Sequence, residues 1–302
     1  MNYYLGIDGG GTKTRVCLIN ELGSILGYGN GGPSSIDTVD AETTFINIQN
    51  ALQEIKYSPI RLKGIFAGIG GVVTQTDKSA LAALLKKLPY TDASTIINVD
   101  NDAINALASG ELGQEGMVLI VGTGMVAYGQ NQEGTTHKAG GWGYKEGDAG
   151  SSYDLGVQAL KILIKAFDKR IETTDFIEAL ASHLGMQKPS DIIPIMDRYF
   201  GQRTLIAGLA PLVTKFANSG DYHAKAIVDN ATDELTLCVN AVYQTIHLPK
   251  PYLVVVGSLG NAEGYFKIQL HQKIKKISPM IHITEPMIDP AYAAAKLALN
   301  KC

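Results

Sequence analysis

The residues of this chain best suited to chemistry gather in short glycine-rich clusters and one acidic stretch. The first cluster, Gly9-Gly10-Gly11-Thr12-Lys13-Thr14, directly follows an apolar segment that ends in Asp8. Glycines let a backbone approach a polyanion closely and aim its amides at it. Gly10, Gly11, Thr12 and Lys13 are therefore candidate phosphate contacts. Asp8, at the end of the apolar segment, is placed to hold a hydrated Mg²⁺ beside such phosphates. The second cluster, Gly122-Thr123-Gly124, also follows an apolar run, Met117 to Val121.

Neither cluster fits the two better-known phosphate motifs. A P-loop requires a lysine directly after its second glycine, but Gly11 is followed by Thr12, and the next segment (TRVCLIN) is rich in strand formers. Gly122 to Ala127 matches GxGxxA in letters, yet it too runs into a strand-like segment where a Rossmann turn opens a helix. Both clusters read either as phosphate-gripping hairpins or as plain tight turns. Their recurrence after apolar strands in both halves of the chain, once with a preceding aspartate, favours the first reading.

Val99-Asp100-Asn101-Asp102-Ala103 stands where a strand gives way to a helix, the edge of an open α/β sheet at which ligands bind. Asp100 suits the helix cap. Asp102 lies one or two residues inside, where no cap is needed. It is either a first-turn acid favoured by the helix dipole or the acceptor of a proton from a substrate hydroxyl; we read it as the latter. Gly140-Gly141-Trp142-Gly143 and Gly147-Asp148-Ala149-Gly150-Ser151 hold the single tryptophan. A flat apolar ring, small residues and a carboxylate suit a pyranose. The plainer alternative is a turn before a helix capped by Asp148 or Ser151. Val254 to Gly260 (VVVGSLG) is either a simple strand-to-helix turn or a surface for adenine and ribose formed around Gly257, Ser258 and Gly260.

The elements needed to position these groups alternate. Short strands are expected at Tyr3–Asp8, Thr14–Asn20 and Ser24–Asn30, then a helix at Thr38–Lys56 capped by Asp37. A strand follows at Ile65–Ile69, a helix at Thr76–Leu88, a strand at Ser94–Val99 and a helix from near Asn101. The pattern restarts with Met117–Val121, Met125–Gln130 and Thr135–Lys138, then turns helical from Ser151 to about His247. A strand (Pro251–Val256), a helix (Asn261–Lys276), a strand (Ile281–Thr284) and a helix from Pro290 to Lys301 close the chain. Two similar α/β halves, each opening with a glycine hairpin, follow from this order.

Composition narrows the function classes. The chain has 302 residues, about two domains' worth. With 26 basic and 29 acidic side chains its net charge is −3, without the basic excess of a nucleic-acid protein. Glycine, 33 residues, is over-represented. No apolar run reaches the ~18 residues of a membrane span, and the first residues lack the pattern of a secretion signal. A cytoplasmic protein without nucleic-acid or membrane partners is expected. Cys17, Cys238 and Cys302 stand far apart, so neither a disulfide framework nor a thiolate metal site is expected.

Together, GIDGGGTKT (6 to 14), NDA (101 to 103), GTG (122 to 124), GGWG with GDAGS (140 to 151), LAPLV (209 to 213), GSLG (257 to 260) and DPAYAAAKLAL (289 to 299) resemble the N-acetylglucosamine kinase and BadF/BadG-type ATPase family. That family lies within the actin, hexokinase and Hsp70 superfamily. The resemblance spans nearly the whole chain. It implies an α/β, two-domain ribonuclease-H-like fold with ATP in the interdomain cleft. The domains would be 1–114 plus the C-terminal helix 288–302, and 115–287. It implies ATP and Mg²⁺ as cofactors, Asp8 near the metal and Asp102 as catalytic base. Gly10 to Lys13, Gly122 to Gly124 and Gly257, Ser258 and Gly260 would contact nucleotide. Ser35, Asn101, Gly141, Trp142 and Asp148 would lie at the sugar. Two positions depart from the family pattern: Ser35 stands where an asparagine is common, and Ala149 where many relatives have glutamate. The implied activity is phosphoryl transfer from ATP to a hexosamine hydroxyl, O6 by expectation, within amino-sugar metabolism such as cell-wall recycling. N-acetylglucosamine, glucosamine, N-acetylmuramic acid and glucose stay open as acceptors, and a homodimer is expected. The alternatives are an ATPase activator of a reductase or dehydratase, which would need cysteine ligands for an iron–sulfur cluster, and a non-enzymatic actin-like nucleotide-binding module.

Overall fold

The computed structural model describes residues 2–58, 61–110, 115–144 and 147–302. The chain divides into two compact units. The first comprises Met1–Val118, Gln130–Gly134 and Thr284–Cys302, and the second Leu119–Gly129 and Thr135–Ile283. The expected boundary after residue 114 falls at residues 111–114, outside the described residues.

The first unit is built on strands β1 (Tyr3–Gly9), β2 (Thr14–Asn20), β3 (Ile25–Gly31), β4 (Leu62–Ile69) and β5 (Ile96–Asp100), in the spatial order β3-β2-β1-β4-β5. The first three form an antiparallel meander, while β4 and β5 join β1 in parallel. Helices α1 (Ala41–Gln53), α2 (Gln75–Leu85) and α3 (Asp102–Ala108) connect them. A second sheet, most of whose residues fall in the second unit, has the order β10-β9-β6-β7-β8, from β6 (Gly116–Val121), β7 (Met125–Gln130), β8 (Thr136–Ala139), β9 (Tyr252–Val256) and β10 (His282–Thr284). Between β8 and β9 run α4 (Ser152–Phe167), α5 (Asp175–Leu184), α6 (Ile192–Tyr199), α7 (Arg203–Ala207), α8 (Ala210–Asn218) and α9 (Tyr222–Ile246). Helices α10 (Tyr265–Ile277) and α11 (Pro290–Asn300) complete the chain. No described helix is long and apolar enough to cross a membrane.

The period-two alternation of a strand decides what faces what in the first sheet. Tyr3, Leu5 and Ile7 of β1 join Val16, Leu18, Ile65, Ala67 and Ile69 in one core that includes α1 and α2 residues. Tyr4, Cys17, Ile19 and Phe66 join the alanines of α11 in the other. Gly6 and Asp8 alternate onto this second face. There Gly6 lets α11 approach so closely that a Cβ would overlap the Ala291 carbonyl oxygen and the Ala295 amide. Gly64 of β4 plays the same part beneath Ala298 and Cys302. Helix α11 starts at Pro290, whose missing amide is no loss in the first turn, and Asp289 caps it by accepting from the Ala291 and Tyr292 amides.

Several boundaries differ from the sequence expectation for local reasons. Helix α1 begins at Ala41 with Asp40 as cap; Asp37, the expected cap, instead accepts hydrogen bonds from the Ser35 and Thr38 hydroxyls. Helix α2 opens one residue earlier, on a capping box between Thr74 and Asp77, and ends at Leu85. Leu88 is still buried in the core beyond it. Asn101, not Asp100, caps α3; Asp100 pairs with Lys78 at 2.8 Å and accepts the Asn101 amide. Helix α10 starts at Tyr265, after a turn through residues 257–264 that delays it.

Gly6→Ala sets a methyl against helix backbone that has no rotamer to give. Overpacking of this kind costs about 3 kcal/mol. Denaturant unfolding is expected to show a loss of that size, whereas Gly23→Ala, at a turn where an added Cβ meets nothing within 4 Å but φ is +77°, loses roughly 1 kcal/mol.

Candidate functional site

In the first unit the sequence-predicted residues converge. The turn from Gly10 to Lys13 is closed by the Gly10 amide donating to the Lys13 carbonyl. The Gly10 carbonyl accepts the Ser34 and Ser35 amides, and the Gly9 carbonyl accepts the Gly70 amide. The turn after β4 is thus stitched to both the glycine loop and Ser35. At Gly70 an added Cβ would lie 2.7 Å from Ser35 Oγ and 3.4 Å from Asp102 Oδ2. At Gly71 it would lie 2.9 Å from the Asp37 amide. Ser35, Asp37 and Asp102 therefore pack around one two-glycine turn, which only residues without side chains allow.

Asn101 is tied into this arrangement at both ends of its amide. Its Oδ1 accepts the Ala103 amide as the helix cap, and its Nδ2 donates to the Val72 carbonyl at 3.1 Å. Those bonds fix Asp102 as the first residue of α3. Thr12 and Lys13 are exposed at the tip of the hairpin, while Ser35 is buried.

The two carboxylates carry the electrostatics of this unit. Desolvation, outweighing a hydrogen bond from Asn105, pushes Asp8 up to about 6. Asp102 is pushed up to about 7, first by desolvation and then by the like charges of Asp8 and Asp37, against its own and the Ala103 backbone amides. Neither has an ion-pair partner among the described residues. A group held near neutrality beside an open turn is a suitable general base.

A metal ion can be tested against the same facts. No described cluster of three or more His, Cys, Asp or Glu side chains would cage one. Mg²⁺ does not ask for a cage: it is commonly held by one or two carboxylates together with phosphates and water. Asp8, an oxygen ligand whose desolvation the Asn105 hydrogen bond and the Lys13 and Arg15 charges offset only in part, fits such an ion.

The second unit has its own grouping. Gly122 donates its amide to the Gly124 carbonyl across the hairpin, and the Gly122 and Thr123 carbonyls accept the amides of Ser152 and Tyr153 at the start of α4. The Leu259 and Gly260 amides both donate to the Val121 carbonyl, so the 257–260 turn lies beside the 122–124 hairpin. Gly257 carries a φ of +103° and sits so close to Val121 that a Cβ would overlap its carbonyl oxygen. Ser258 is exposed at that turn.

Asp148 is buried and ion-paired with Arg203 at 2.9 Å, while Ser151 caps α4. A Cβ at Gly124 would lie 2.5 Å from the Arg203 guanidinium and 2.8 Å from Asp148 Oδ2. The hairpin and Asp148 are thereby neighbours. Arg203 also covers the Tyr144 ring at 5.2 Å. Trp142 is 69% exposed, its ring covered by Lys138 Nζ at 4.2 Å, which also donates to the Gly141 carbonyl. Arg203 was not singled out from the sequence. Its one signal there is its place six residues before the LAPLV stretch; its partner is 55 residues away. Asn105, likewise missed, stands one helical turn after Asp102.

The chain is similar over its full length to curated proteins. It is 31% identical to an N-acetylmuramic acid/N-acetylglucosamine kinase of Clostridium acetobutylicum, covering 100% of both chains. It is also 31% identical to an N-acetyl-D-glucosamine kinase of Dictyostelium discoideum, covering 98% of each. A solved structure from Chromobacterium violaceum shares the fold with a TM-score of 0.80 at 24% identity, over 98% of this chain and 99% of that one. The α/β fold is accordingly of the ribonuclease-H-like, actin and hexokinase type. The model of the BadF/BadG/BcrA/BcrD ATPase family matches residues 5–298, and the chain belongs to that family.

Proposed function

We propose that this protein is an ATP-dependent amino-sugar kinase that transfers the γ-phosphoryl group to a hexosamine hydroxyl, O6 in our reading. The observation that carries the proposal is Asp102: a carboxylate without a cationic partner, held near neutral pKa at the first turn of α3 against Ser35 and Gly70. The full-length relatives named as N-acetylglucosamine and N-acetylmuramic acid/N-acetylglucosamine kinases support it. A cytoplasmic homodimer belongs to the same reading, on the family resemblance.

In the proposed reaction the acceptor hydroxyl donates a hydrogen bond to ionised Asp102. As the hydroxyl oxygen bonds to the γ-phosphorus, its proton passes to the carboxylate and the bond to the β–γ bridging oxygen breaks, so ADP leaves with that electron pair. Phosphoryl transfer of this kind depends on positioning and charge stabilisation. We assign the positioning to the hairpins Gly10–Lys13 and Gly122–Gly124 at the phosphates and to Gly257, Ser258 and Gly260 at the nucleoside. Ser35, Asn101, Gly141, Trp142 and Asp148 are assigned to the acceptor, with Arg203 orienting Asp148. Asp8 would hold Mg²⁺, which when bound neutralises charge on the phosphates.

A coupled ADP-release assay across N-acetylglucosamine, glucosamine, N-acetylmuramic acid and glucose tests the proposal. At least one of the amino sugars is expected to stimulate turnover above the sugar-free rate. ATP consumption indifferent to all four would sink it. Asp102→Asn is expected to lower kcat by about 10² to 10⁴ while calorimetry still detects ATP binding.

The same carboxylate leaves a stability signature. A carboxyl raised in the folded state contributes stability fully present below its unfolded pKa of ~3.9, and loses it as pH climbs to the folded value of about 7. Asp102→Asn, free of that charge, should therefore melt a few degrees above wild type at pH 8. The gap should close as pH falls toward 4; equal melting temperatures at pH 8 would deny the desolvated charge.

Asp37 contributes a like charge to Asp102. Asp37→Asn should therefore ease ionisation of Asp102 and move the acid limb of the kcat/KM profile to lower pH. An unmoved midpoint would separate Asp37 from the reacting group.

A further inference from the structure

We infer that Asn105 is a positioning residue for Asp8, setting the carboxylate toward a divalent cation bound with nucleotide. The inference rests on the metal role proposed for Asp8 and extends it to a residue that touches neither acceptor nor nucleotide in that reading.

The side chain of Asn105 is fully buried. Its Nδ2 lies 3.0 Å from Asp8 Oδ1, 2.9 Å from the Ile7 carbonyl and 3.4 Å from the Gly68 carbonyl. One amide group therefore bridges the end of β1, the end of β4 and the carboxylate. It comes from α3, three residues after Asp102, so the same helix turn that presents the proposed base also clamps the proposed metal ligand.

Space for the clamp is specific. A Cβ at Gly68 would overlap the Asn105 amide, so β4 must be bare at this point for the amide to reach β1. Asn105 Oδ1 is buried with no hydrogen-bond partner among the described residues. An unmatched buried acceptor costs stability. A leucine of similar bulk would fill the place without that cost if packing were the whole purpose. The donor end, directed at Asp8, is what leucine lacks. Residues that orient a metal ligand commonly change metal affinity or activity 10- to 100-fold when replaced.

The test measures ADP binding by calorimetry, with Mg²⁺ and with EDTA, in the absence of any sugar. Wild type is expected to bind ADP more tightly with Mg²⁺, and Asp8→Asn to lose most of that gain. Asn105→Leu and Asn105→Ala, which remove the donor, should each lose about tenfold of the Mg²⁺-linked gain. Their binding in EDTA should stay within about twofold of wild type. Gly68→Ala, which changes no polar group but displaces the amide, should reproduce the loss, and raising Mg²⁺ should recover tight ADP binding in all three variants. Melting curves confirm which variants are folded, and the folded ones decide the matter. A retained Mg²⁺ gain in folded Asn105 variants, with Asp8→Asn deficient, overturns the inference and leaves the kinase reading standing. A full Mg²⁺ gain in Asp8→Asn removes the metal role of Asp8 and this inference with it, while sugar-stimulated turnover reports on the kinase proposal separately.

Discussion

Desolvation of two carboxylates at the edge of one sheet is the constraint around which the first unit is arranged. Asp8 and Asp102 are lifted toward neutrality because burial disfavours their charge, and at Asp8 the Lys13 and Arg15 charges offset only part of that effect. Each must therefore be held by rigid surroundings that tolerate an unfavourable local state. The surroundings are the stitched loops of Gly9, Gly10, Ser34, Ser35 and Gly70, and a short helix fastened by Asn101 at its start and Asn105 along its side. The stability forgone at these carboxylates is matched to the work proposed for them: a base poised near its working pH and an oxygen ligand awaiting a cation.

The second unit treats its buried acid in the opposite way. Asp148 is paired with Arg203 and packed against Gly124, so its charge is compensated within the protein. A carboxylate bonded to a guanidinium keeps lone pairs free to accept further hydrogen bonds. That contrast separates the proposed roles more sharply than the residue types alone: Asp148 to receive hydroxyl hydrogen bonds, Asp102 to take a proton.

Glycine accounts for much of the architecture in both units. Gly6 and Gly64 admit α11 to the sheet face, Gly68 admits Asn105, and Gly70 admits Ser35 and Asp102. The glycine excess seen in the composition is thus of two kinds: tight turns and hairpins, and bare patches of strand where another element must come within contact distance. The second kind gives no local signal. Gly6 and Gly68 look like ordinary strand residues until a helix from far along the chain arrives over them.

Read alone, the amino-acid order determined the alternation of strands and helices, the glycine hairpins, Asp8 at a strand end and Asp102 within a helix start. These are local patterns of period and turn chemistry, written in neighbouring residues. Helix starts were less legible: Asp37 and Asp100 were expected as caps where Asp40 and Asn101 do the capping, because neighbouring acceptors compete for the same first-turn amides. Only tertiary structure decided that Arg203 would meet Asp148 and that Asn105 would reach Asp8 from 97 residues away. It also decided that the alanines of α11 would close over Gly6. Those pairings depend on which faces pack together, and burial energy summed over whole elements, not any short motif, selects them.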